Sequence, residues 1–334
     1  MRIEHLELAP FFQRSHPRWE AQMELQRTLA CSTFVEGLGL HTGKRIPMWI
    51  HPAPADHGIV FVRSDLRRRV RIPATLEFVV DTTLATTLGR DGEVVSTVEH
   101  LLSALWGTGV DNALVEVGGP EIPILDGSAA PFVKMIKEAG ILLQPKVRRY
   151  LVVERPFHVR DGERMVSLYP CPEFVVSFSI DFDHPVIGTQ FFQLHLTDGN
   201  YERLISRART FGFLRDVEAM KAMGYALGGS LENAIVLDDT GILNPGGLRY
   251  SDEFVRHKIL DCLGDLSLLG LRLRGHLVAH RSGHSLNRKL LSHLIEATDG
   301  WKVVSGSLSM GHEVPESPSF QDRSSSMGNR ALLA

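Results

Sequence analysis

Cysteine is scarce in this chain. The three residues, Cys31, Cys171 and Cys262, are odd in number and far apart, with no C-x-x-C pair. A disulfide framework or a cysteine-rich zinc knuckle is thereby excluded, and reduced thiols in the cytoplasm are expected. Long apolar runs are missing as well. No stretch nears the roughly 20 apolar residues that cross a bilayer, so any dealings with lipid take place from the water side. Met1-Arg-Ile-Glu-His-Leu-Glu has no basic segment leading into an apolar one, and no secretory signal is expected. A large excess of either charge is also lacking. The formal net charge is -3, which argues against a general nucleic-acid binder, whose surface is usually net basic. One basic run exists, with five arginines between Arg63 and Arg71. It reads as a solvated loop and strand edge, with an anion site as the other reading.

What remains is an ordinary globular balance: 43% hydrophobic and 22% charged residues over 334 positions. At roughly 100–200 residues per domain, that length suits two domains. Residues 1–24 are weakly patterned and read as an N-terminal extension, within which Met23 offers a second start. Gln26 to Val35 alternates like one strand. Gly37 to Gly43 is a turn, and Pro47–His51 and Gly58–Val62 are short strands. A helix opens at Ser96–His100, with Leu101, Leu102 and Leu105 ahead of Gly107. Asn112–Val117 is a strand, and Ala129–Ala139 is a helix ended by Gly140. A boundary falls at about 145. Leu151–Val153, Met165–Tyr169 and Phe174–Phe182 follow as strands, then a long helix at about 251–270 and a last one at 286–297. From 304 the Ser/Pro/Gly-rich tail is expected to be loose. Each half runs from strands to a helix carrying histidine and leucines. This yields an expectation of two similar α+β domains, 25–145 and 146–303.

The helix at 251–270 has two faces. At 100° per residue, Val255, Ile259, Cys262, Leu263, Leu266 and Leu269 gather on one side and His257, Asp261 and Asp265 on the other. His257 and Asp261 are four apart and therefore stacked. Such a pair can share a tetrahedral Zn²⁺, and it can equally be a solvated charge pair. A catalytic zinc needs a third protein ligand and an open position, and His100 is the candidate for that ligand. Glu99 beside it has two readings. In Ser96-x-x-Glu99 it completes a capping box; next to a metal ligand it would be the general base. His280 and His284 form a rival pair by spacing, but Gly283 interrupts it. His284 reads better as presented on a glycine turn, a proton donor. His276 and His293 read as surface residues.

Six blocks now stand in order: Gly37-Leu-Gly-Leu-His-Thr-Gly43; Ser96-Thr-Val-Glu-His-Leu101; Glu121-Ile-Pro-Ile-Leu-Asp-Gly-Ser-Ala-Ala-Pro131; Ser206-Arg-Ala-Arg-Thr-Phe-Gly-Phe213; Glu253-Phe-Val-Arg-His-Lys258 with Asp261 and Gly264-Asp265; and Ser282-Gly-His284. From about Gln26 to about Leu294 the chain resembles the UDP-3-O-acyl-N-acetylglucosamine deacetylases of bacterial lipid A biosynthesis, known from Gram-negative bacteria. The resemblance implies zinc on His100, His257 and Asp261, with Fe²⁺ possible in the same site. It implies Glu99 as base, His284 as acid oriented by Asp265, and Thr210 as an oxyanion donor. It implies substrate contacts by Lys258 (diphosphate), Phe182 (stacked on uracil), Phe211, Leu84, Gly229 and Arg281, the last standing where the family carries lysine. It implies a sandwich of two α+β domains with helices between outer sheets, and a small β-α-β insertion at about 213–237 that shelters the acyl chain. The resulting expectation is a cytoplasmic, monomeric enzyme that removes the N-acetyl group of its UDP-linked acylated glucosamine, without nucleic-acid partners. The competing readings are an amidohydrolase for another acylated sugar nucleotide and a catalytically silent relative that binds nucleotide sugar or protein.

Overall fold

The computed structural model describes the backbone of residues 19–22 and 24–310, and side chains for 24–306. The expectations for the first 18 residues, for Met23 and for the tail beyond 310 lie outside the described residues. Residues 304–310 were expected to be loose and are not: Trp301–Ser305 and Ser307–Met310 are strands.

Helix and strand are mixed throughout, an α+β fold with several sheets and six helices among the described residues. The first sheet has five strands in the order Thr33–Leu38, Arg45–Pro52, Ala113–Val117, Ile59–Arg63, Arg71–Pro73. Ala113–Val117 lies at its centre, antiparallel to one neighbour and parallel to the other, with Val115 opposite Ile50 and Phe61. The expected single strand from Gln26 to Val35 is two strands, Leu25–Leu29 and Thr33–Leu38, broken at Ala30–Ser32. The reason is tertiary. Leu25–Leu29 pairs with Ile141–Val147, whereas Thr33–Leu38 joins the first sheet.

The second sheet is built on Arg272–His280. That strand runs antiparallel to Arg164–Tyr169 and parallel to both Phe174–Phe182 and Arg149–Val153. Its burial alternates strictly, with Leu273, Gly275, Leu277 and Ala279 inward. This is the period-2 pattern of a half-buried strand.

Six helices connect these sheets: α1 (Glu99–Gly107), α2 (Ala130–Ala139), α3 (Asp198–Leu204), α4 (Leu214–Ala222), α5 (Glu253–Leu266) and α6 (His284–Glu296). Helix α2 packs on the first sheet, α5 and α6 pack on the second, and α1 touches both α2 and α5. The layering is therefore sheet, helices, sheet. Val255, Ile259, Leu263 and Leu266 of α5 are fully buried, each worth about 1.5–3 kcal/mol. That apolar face lets α5 carry ionisable groups into the interior on its other side. Gly264 is on that other side. A Cβ there would stand 2.2 Å from the carbonyl oxygen of Glu99, so the missing side chain sets how closely α5 meets the first turn of α1.

The segment Phe211–Phe213, α4 and Ile235–Leu237 is a β-α-β unit with its two strands parallel. None of the side chains of α4 is buried. Gly228 seats the return loop against the 39–43 turn: its N–H donates to Leu40 O at 3.0 Å, and a Cβ there would meet Gly39 O at 2.3 Å.

Candidate metal centre and its surroundings

His257 and Asp261 are stacked one turn apart on α5, and His100 comes from the first turn of α1. One ligand atom from each lies within 4.8 Å of the other two. Asp261 Oδ1 is 3.3 Å from His257 Nε2 and 3.5 Å from His100 Nε2. The two imidazoles are perpendicular, at 88° and 5.0 Å between centroids. All three residues are buried. The alternative of a solvated charge pair therefore falls.

The donor chemistry fits a cation. His257 Nδ1 donates to the carbonyl of Ala208 at 3.1 Å, which leaves the lone pair on Nε2. Burial pushes the His257 pKa down to about 3 against the pull of Asp261, so the ring is neutral. Burial works to raise Asp261, but the Lys258 ammonium beside it outweighs burial and holds the carboxyl well below the usual carboxylate range. Lys258 Nζ donates to Asp261 Oδ2 at 2.8 Å and leaves Oδ1 to the cluster. A neutral imidazole lone pair facing a carboxylate oxygen in a dry interior is stabilised by a positive ion between them. His100 has no partner like Ala208: its Nδ1 is buried without a hydrogen bond.

Glu99 is buried beside the cluster, and burial raises its pKa. The capping-box reading does not survive. The N-cap of α1 is Val98, and Ser96 Oγ contacts Thr87 Oγ1 at 2.8 Å. The Glu99 carboxylate accepts instead from the Thr86 N–H at 3.0 Å.

His284 is the first residue of α6, two positions earlier than the sequence pattern placed the helix start. Its Nδ1 donates to Asp265 at 2.9 Å, and its Nε2 is 3.9 Å from Glu99 Oε1. Burial alone would lower the His284 pKa, but Asp265 and Glu99 raise it to about 10. His280 is not a partner of His284; it contacts Ser179 Oγ on the second sheet. His293 is exposed as expected, whereas His276 is half-buried and bonded to Ser177.

The other expected site residues divide into those near this cluster and those apart from it. Phe211 stacks edge-on against Phe182 at 5.6 Å, lies 6.4 Å from the His257 ring, and has Lys258 Nζ 5.6 Å from its centroid. Thr210 stands two residues beyond Ala208, whose carbonyl holds His257, and its N–H donates to Gly127 O at 2.8 Å. Leu84 is half-exposed with φ +62, on the loop whose Thr86 touches Glu99. Gly229 lies in the turn closed on Ala226, near Leu40. The Arg281 guanidinium pairs with Glu163 at 2.7 Å.

Sequence reasoning missed Thr86 altogether. Its hydroxyl donates to Asp265 at 2.6 Å while its N–H serves Glu99, so one residue bridges Glu99 and the partner of His284. It missed Ala208 and Asn287 too; Asn287 Nδ2 donates to Asp265 at 2.8 Å. Nothing in Asp81-Thr-Thr-Leu-Ala-Thr-Thr87 marks one threonine among four.

Of the basic run, Arg63 is buried on Asp65 and Val94 O, whereas Arg68 and Arg69 lie on the surface paired with Asp91 and Glu116. Among the described residues, no helix is long and apolar enough to cross a membrane.

A buried two-histidine, one-aspartate triad, flanked by a carboxylate and an acid-anchored imidazole, is the residue set of a metal-dependent hydrolase. A family model described as UDP-3-O-acyl N-acetylglycosamine deacetylase matches residues 26–296, and the chain belongs to that family. It is 55% identical over 279 residues to the UDP-3-O-acyl-N-acetylglucosamine deacetylase of Myxococcus xanthus (84% of this chain, 89% of that protein). It is 52% identical over 283 residues to the protein of the same name from Syntrophus aciditrophicus (85% and 90%).

Proposed function

We propose that this protein hydrolyses the N-acetyl group of a UDP-3-O-acyl-N-acetylglucosamine, giving the free amine and acetate, a step of lipid A biosynthesis. The reading rests on family membership together with one observation: His284 Nε2 and Glu99 Oε1 face each other at 3.9 Å beside the triad. We read the chain as two α+β halves meeting at about residue 145, with the site at their junction.

His100, His257 and Asp261 would hold Zn²⁺, with Fe²⁺ as the alternative occupant of the same donors. When bound, such an ion supplies Lewis acidity to the amide carbonyl and the attacking water. Glu99 takes the water proton; its raised pKa puts it closer to working pH than an exposed glutamate. His284, protonated and oriented by Asp265, gives a proton to the departing nitrogen, which otherwise leaves poorly. Thr210 helps hold the developing oxyanion. A carboxyl and an imidazole placed side by side are the arrangement in which one site runs both halves of an acid–base cycle. Phe182 stacks on uracil, Lys258 contacts the diphosphate, and Phe211, Leu84 and Arg281 make further contacts to the substrate. The β-α-β unit with Gly229 shelters the acyl chain. The protein acts in the cytoplasm as a monomer.

The reading is tested by incubating purified protein with UDP-3-O-acyl-N-acetylglucosamine and following mass. Loss of one acetyl group with the ester intact supports it. An unchanged substrate, or loss of the O-acyl chain instead, contradicts it.

A further inference from the structure

The stretch Glu121-Ile-Pro-Ile-Leu-Asp-Gly-Ser128, between the strand Ala113–Val117 and α2, supplies none of the groups assigned above. Its first residue is a carboxylate with 0% of its surface exposed. A desolvated carboxylate persists only where donors replace its water. Both oxygens of Glu121 are so engaged. Oε1 accepts from the His41 N–H at 2.8 Å and the Thr97 hydroxyl at 3.2 Å. Oε2 accepts from the Thr42 N–H at 2.9 Å and the Thr42 hydroxyl at 2.8 Å. Gly39 closes over the carboxylate; a Cβ there would stand 2.3 Å from Oε2.

The donors belong to two segments that matter to the site. Thr97 has φ +58, a left-handed conformation unusual for a β-branched residue. It turns the chain between Ser96, which bridges to Glu121, and Glu99, which begins α1. The direction in which Glu99 and His100 enter the site is therefore set at Thr97. His41 and Thr42 form the turn on which the return loop of the β-α-β unit rests. Leu227 N–H donates to His41 O at 3.2 Å, Ala226 N–H to His41 Nδ1 at 3.4 Å, and Tyr225 meets the His41 ring edge-on at 5.3 Å.

We propose that Glu121 is a positioning residue that holds both the Thr97 turn, and so Glu99 and His100, and the 39–42 turn that seats the acyl-sheltering unit. The kinetic part of this proposal rests on the deacetylase reading; the metal part does not.

The test is Glu121→Gln, which keeps shape but places an amide N–H against groups that are themselves donors. Zinc affinity, by competition with a chromophoric chelator, should fall about 10–100-fold, the usual effect of losing a group that orients a ligand. The visible spectrum of the Co²⁺-loaded protein should change with it. The kcat should fall on long-chain and short-chain substrates alike, with KM rising for the long chain only. Thr97→Val removes one donor and keeps the shape. It should weaken zinc binding and kcat with long-chain KM unchanged. Thr97→Gly in the Glu121→Gln background should restore zinc affinity and kcat, because glycine takes positive φ freely, while long-chain KM stays high. A folded Glu121→Gln protein with a lower Tm but unaltered zinc affinity, Co²⁺ spectrum and kcat would overturn the proposal. Should that variant fail to fold, unaltered zinc affinity and kcat in Thr97→Val would overturn it. Should the parent protein release no acetate, the deacetylase reading fails, and the zinc and Co²⁺ readouts still decide the role of Glu121.

Discussion

Gly264 and Glu99 are in direct backbone contact: a Cβ on Gly264 would lie 2.2 Å from the Glu99 carbonyl oxygen. One absent side chain thus sets the spacing between the helix that carries His257 and Asp261 and the helix that carries His100. Gly264→Ala cannot be absorbed by a flexible side chain, because the obstacle is backbone. It should cost about 1–3 kcal/mol in stability and weaken metal binding more than an equally destabilising substitution elsewhere. A denaturant midpoint and a zinc Kd on the same variant check this; unaltered zinc affinity would show that the spacing of α1 and α5 is not critical.

The metal ligands should separate from the fold. His257→Ala removes a proposed ligand from a helix whose apolar face remains buried. The circular dichroism spectrum should persist while bound metal and turnover fall together. Stoichiometric zinc in this variant would refute the ligand assignment.

Glu99→Ala should retain metal and lose about 10²–10⁴-fold in kcat. It is not an N-cap, since Val98 holds that position, so its loss should not unwind α1. A stability loss with turnover intact would return Glu99 to a structural role.

The pH profile follows from His284 and Asp265. Burial pulls the imidazolium pKa down, and Asp265 with Glu99 lifts it to about 10. As the proposed acid, His284 therefore carries its proton below that value and loses it above, which makes it the basic limb. Asp265→Asn removes a negative charge 2.9 Å from Nδ1, so that limb should move to lower pH by about 1–3 units. A basic limb that stays in place would assign it to another group.

A Cβ on Gly229 would meet Ala226 O at 3.3 Å, Leu40 Cδ1 at 3.7 Å and Ala226 Cβ at 3.9 Å, close contacts that need only a small shift. Gly229→Phe would project a ring where the acyl chain is proposed to run. At about 0.8 kcal/mol per buried methylene, long-chain KM should rise steeply while a short-chain analogue is hardly affected. Equal losses on both substrates, or none, would move the chain elsewhere.

The parts of this site legible in the sequence were those written at a fixed period. His257 and Asp261 share a face because a helix repeats every 3.6 residues, and the leucines opposite them announced a buried helix. His100 is more than 150 residues away in sequence, and no local pattern joins it to them. It stood as a candidate only as a histidine opening a leucine-rich helix, the family blocks implied it as a ligand, and the meeting of α1 and α5 at Gly264 gives the physical reason it lies beside them. Local pattern misled at Glu99: Ser96-x-x-Glu99 has capping-box spacing, but the left-handed turn at Thr97 moves the helix start to Glu99. It misled again at Ala30–Ser32, where continuous alternation hid a change of sheet. Thr86 and the Ala208 carbonyl leave no trace in sequence, because they act through one hydroxyl and main-chain groups placed by the fold.

The central claim is that His100, His257 and Asp261 hold the ion on which deacetylation depends. It is tested most directly by titrating Zn²⁺ into chelator-stripped protein while measuring acetate release from UDP-3-O-acyl-N-acetylglucosamine. Activity should be absent at the start and reach its plateau at one equivalent per chain. Full turnover by the stripped protein, or no recovery in stripped protein that is still folded, would contradict the claim.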